Sequence, residues 1–125
     1  FGRAQKTLAG QPEAPKNLRF LSISFDPEHD TPELLRAYAE RQHYDPAQWT
    51  LATGAWDQLE PLTGHFGLIF GRDVPPEKME HNLRTVVVRP SGQIQAVLPS
   101  NEWQLEDLLR EIRAAASNES PAQKP

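Results

Sequence analysis

Phe20-Leu21-Ser22-Ile23-Ser24-Phe25-Asp26-Pro27-Glu28-His29-Asp30-Thr31-Pro32 decides how this chain is read. Leu18 to Phe25 has the apolar content of a strand, with Ser22 and Ser24 alternating against Leu21, Ile23 and Phe25. Pro27 stops it, because proline has no N–H to give to a ladder. A polar loop follows, and Thr31-Pro32-Glu33 opens a helix. Thr31 can cap it, Pro32 suits the first helical position, and Glu33 sits at the positive end of the helix dipole. Leu34, Leu35, Tyr38 and Ala39 then recur at helical spacing and carry the helix to about Gln42.

Working outward, Phe1 to Leu8 is helix-compatible and ends at Gly10, so it reads as the last turns of a helix that starts before Phe1. Gln11 to Asn17 is a loop with two prolines. Trp49 to Gly54 is a short strand, and Trp56 to Phe66 is a helix with Leu59, Leu62 and Phe66 on one face. Pro61 fits that helix only near its first turn. Leu68-Ile69-Phe70 is brief and apolar, and Gly71 to Glu80 is a polar excursion. Leu83 to Arg89 and Gln93 to Leu98 flank Pro90-Ser91-Gly92 as a β-hairpin. Trp103 to Ala116 is an amphipathic helix striped by Leu105, Leu108, Leu109 and Ile112. Strands alternating with helices imply a parallel α/β arrangement, with the hairpin as an antiparallel edge. The domain is expected over residues 1–116, and residues 117–125 read as a disordered tail.

A chain of 125 residues suits one domain. A formal net charge of -4 leaves no basic face for nucleic acid. No apolar run approaches the roughly 20 residues that span a bilayer. There is no cysteine, so these residues alone can form no disulfide, thiolate metal site or thiol nucleophile.

Three elements in order resemble the Sco/SenC family of thioredoxin-like copper proteins: Asp26-Pro27-Glu28-x-Asp30-Thr31-Pro32, Trp49-Thr50-x-x-Thr53-Gly54, and Glu80-His81-Asn82 before the hairpin. The resemblance covers roughly Phe1 to Ile112. It implies an α/β, thioredoxin-like fold of Sco type that lacks its N-terminal central strand and the start of its first helix. In that family a Cys-x-x-x-Cys motif and a distant histidine hold copper, and soft thiolates suit Cu(I). Here His81 matches the histidine. The cysteine motif would lie upstream of Phe1, so this chain is expected to be a fragment. The family's Asp-His-Ser is Glu80-His81-Asn82 here, which changes the group available to orient the imidazole. The resemblance also implies copper delivery to, or thiol reduction at, the binuclear copper centre of cytochrome c oxidase. Its subunit II or another copper protein would be the partner. A periplasmic location, with an inner-membrane anchor upstream, is implied in the same way. A thiol–disulfide oxidoreductase, a peroxidase and a cysteine-less interaction module are the rival readings. Loss of the central strand would leave two pieces of sheet with open inner edges and favour pairing between copies.

Other residues have simpler readings. Asp26 and Asp30 border the implied copper site and could work as paired carboxylates. The structural reading is preferred: Asp26 ends a strand, and Asp30 precedes a helix cap where carboxylates satisfy orphan amides. His29, His43, His65 and His81 are 14, 22 and 16 residues apart, which matches no zinc spacing. Trp49, Trp56 and Trp103 read as packing residues. Gly64, Gly67 and Gly71 make no dinucleotide fingerprint, since no strand leads into them.

Overall fold

The computed structural model describes residues 1–66, 83–99 and 102–117. In chain order these form α1 (Gly2–Ala9), β1 (Phe20–Ile23), α2 (Pro32–Arg41), β2 (Trp49–Ala52), α3 (Trp56–His65), β3 (Arg84–Val88), β4 (Ile94–Pro99) and α4 (Leu105–Ser117). The expected elements at Leu68-Ile69-Phe70 and at Glu80-His81-Asn82 lie outside the described residues, as do residues 118–125. β1, β2 and β3 are shorter than the runs read for them, whereas β4 is as long as its run but displaced by one residue.

α2 starts as its sequence dictates: Thr31 Oγ1 accepts the Leu34 N–H at 3.3 Å, and Pro32 takes the first position. It ends at Gln42 as expected, but the form of its closure was not legible. His43 stands at φ 53°, where glycine is the usual occupant. The His43 N–H reaches the Glu40 carbonyl at 3.0 Å, and the Tyr44 N–H reaches that of Ala39 at 3.2 Å. This pair of bonds is a Schellman closure. The expected stripe on α2 is only partly covered. Ala39 is buried, whereas Leu34 is 56% and Tyr38 42% exposed.

α3 corrects the reading of Pro61, which lies inside the helix rather than near its first turn. Proline removes the bond to the carbonyl four residues back, here Asp57. Both residues are exposed, so water can satisfy that carbonyl. At the helix start the Gln58 side chain accepts the Ala55 N–H at 3.3 Å.

The strands form two separate two-stranded sheets. β1 and β2 pair in parallel from Phe20↔Trp49 to Ile23↔Ala52. β3 and β4 pair antiparallel around a turn in which the Gly92 N–H bonds to the Arg89 carbonyl at 2.9 Å, with Gly92 at φ 94°. The register slips between Val87↔Ala96 and Val88↔Ile94, leaving Gln95 as the extra residue of a bulge. Its side chain accepts the Arg89 Nε–H at 2.8 Å and donates to Glu111 Oε1 at 3.1 Å, which ties the hairpin to α4.

The core joins α1 (Ala4, Leu8), Phe20, Trp49, Val87 and α4 (Leu108, Leu109, Ile112, Ala115). Trp49 is its hub at 2% exposure, with the rings of Phe1, Tyr44 and Tyr38 at 5.6, 6.1 and 6.5 Å. Its indole N–H donates to Ser22 Oγ at 2.9 Å, so Ser22 serves a buried polar tip. Gln5 fastens α1 to the segment before β2. Its amide accepts the Asp45 N–H at 3.0 Å and donates to the Gln48 side chain at 2.9 Å. Trp103 packs against the edge of this core.

Candidate functional site

In open α/β sheets the carboxyl ends of parallel strands are where sites are built. Here β1 and β2 end side by side at Ile23 and Ala52, and the quoted loop lies just beyond them. Ser24 organises it with four bonds. Its N–H donates to the Ala52 carbonyl at 2.9 Å, and its carbonyl accepts the Thr53 hydroxyl at 3.0 Å. Its own hydroxyl accepts the Asp26 N–H at 3.1 Å and donates to Asp30 Oδ2 at 2.5 Å. The Asp26 carbonyl then accepts the N–H groups of His29 and Asp30 at 3.1 and 2.8 Å, closing the loop on itself. Pro27 and Pro32 bracket this turn and limit its backbone freedom.

The two carboxylates have separate tasks. Asp26 Oδ1 faces His29 Nδ1 at 3.0 Å, and Asp30 holds the Ser24 hydroxyl. They are not a pair sharing a proton. Neither residue sits as expected: β1 already ends at Ile23, three residues before Asp26. Asp30 serves Ser24 rather than an orphan helix amide, which Thr31 takes instead. The His29 imidazole is held above its ordinary pKa, first by the hydrogen bond it donates to Asp26 and then by that carboxylate's charge, with Glu28 and Asp30 adding to it. The ring is exposed, so this field is open to solvent and salt.

The histidines do not converge. His29 is on the loop, His43 caps α2, and His65 closes α3 with its ring 4.9 Å from that of Phe66. His81 lies outside the described residues. Among the described residues no group of three His, Asp or Glu side chains could hold a metal ion. Ser24, read above only as a strand residue, and Thr53, quoted only within a motif, are the residues whose role the sequence reading did not assign. The signal was present: a serine just beyond a strand, followed two residues later by an aspartate, is a turn-forming pattern.

A second feature lies along the strands rather than beyond them. β1 and β3 both line a cavity of about 390 Å³, together with Leu59, Leu62 and Phe66 from α3 and its end.

Parallel strands with a locked loop at their carboxyl ends, and an antiparallel hairpin set apart, define a protein of mixed helix and strand content. The chain belongs to the SCO1/SenC family, whose model matches residues 2–117. It is similar to the protein SCO2, mitochondrial, of Saccharomyces cerevisiae, at 32% identity over 79% of this chain. The chain spans about a third of the length of that relative (35%). No solved structure matches it.

Proposed function

We propose that this chain is part of a Sco-type protein that handles copper for the assembly of cytochrome c oxidase, by delivering the metal or by reducing the thiols that receive it. The observation that carries the reading is the family match over residues 2–117. It fits a thioredoxin-like architecture, with the β1–β2 pair as one flank, the β3–β4 hairpin as the other, and a central strand from outside these residues. The partner in this reading is subunit II of the oxidase or another copper protein. The setting is the periplasm, with an anchor elsewhere in the polypeptide. No helix among the described residues is long and apolar enough to cross a membrane.

The residues present do not make a copper site by themselves. The sequence has no cysteine, and imidazole alone is a poor match to the soft-donor set that selects Cu(I). His81 would therefore act beside thiolates supplied from outside these residues. The Ser24–Asp30 loop contributes a rigid border: its carboxylates are engaged in hydrogen bonds and so compete little for a metal.

The test is a copper titration of the longer polypeptide, followed by intact mass spectrometry. The expected result is one copper per chain, lost in His81→Ala and in a variant lacking the upstream thiols. A polypeptide that carries no cysteine and takes up no copper overturns the reading. It would leave an interaction module as the second reading.

A further inference from the structure

We draw no further inference here: the strongest candidate, the exposed Leu34 and Tyr38 stripe along the outer face of α2, is an apolar helix surface for which nothing in the structure shows what covers it.

Discussion

The two faces of β1 show opposite fates for similar residues. On one face Phe20 is 5% exposed, with its ring 4.9 Å from that of Phe1, and Ser22 holds the Trp49 indole. On the other, Leu21 and Ile23 stand 57% and 40% exposed over the cavity. The two amphipathic helices repeat the contrast. α4 buries Leu108, Leu109, Ile112 and Ala115 against strands and α1, whereas α3 buries only Leu59 and Thr63 and leaves Leu62 37% exposed. Local pattern thus gives each element its apolar side, but burial depends on what lies opposite. The difference separates a finished half of the molecule from one whose apolar surface has no complement among the described residues.

The largest effect that tests this contrast is a pair of truncations. Trp49→Ala should cost about 3–5 kcal/mol, because it removes a buried aromatic hub and strands the Ser22 hydroxyl. Leu62→Ala should cost about 1 kcal/mol or less, since much of that side chain already meets water. Urea unfolding of both variants gives the comparison directly. Similar losses would mean that the cavity face is packed in solution, and the contrast between the halves would fall.

Much of the finished half was legible in the sequence. The alternation in Phe20 to Ile23, the Thr31-Pro32 start of α2, the turn at Pro90-Ser91-Gly92 and the stripe of α4 rest on local chemistry, and each stands where its residues place it. What local chemistry does not encode was missed. The left-handed His43 is fixed by backbone bonds that no side chain announces, and the bulge at Gln95 and the continuation of α3 through Pro61 depend on neighbours distant in sequence or on water at an exposed carbonyl. At the candidate site, Asp26 and Asp30 were legible as loop builders because short carboxylates beside prolines favour turns. Their partners were not, since Ser24 reads equally well as one more strand residue. His81, the one residue chosen for metal chemistry, lies outside the described residues.

The loop offers an intermediate effect and extends the contrast to the strand ends. Ser24→Ala removes both the acceptor for the Asp26 N–H and the donor to the Asp30 carboxylate, and should cost about 1–2 kcal/mol. Asp30→Asn keeps the shape and an acceptor oxygen, and should recover part of that loss. The measurement is again the urea midpoint, joined here by exchange of the Asp26 amide. If Ser24→Ala costs no more than Leu62→Ala, the loop is no better fixed than the cavity face.

The smallest effect is a pH dependence confined to the exposed rim of the same loop. Asp26 raises the pKa of His29 above its ordinary 6.5. A raised folded-state pKa means that the folded chain holds the proton more tightly than the unfolded one. The associated stability is therefore fully present below about pH 6.5 and is lost as pH rises through the folded-state value. The ring is exposed, so the effect on overall stability is slight and shrinks with salt. The ring's own titration, followed by NMR of its carbon-bound protons, is the sensitive measure. Asp26→Asn should lower the midpoint toward 6.5, with Glu28 and Asp30 holding it slightly above. High salt should shift the midpoint of the unaltered protein in the same direction. An identical midpoint with and without the Asp26 charge would show that the loop is open at His29 in solution. The rigid border would then end at Asp26, and only the Ser24 to Asp30 bond would remain to distinguish this end of β1 from its exposed face over the cavity.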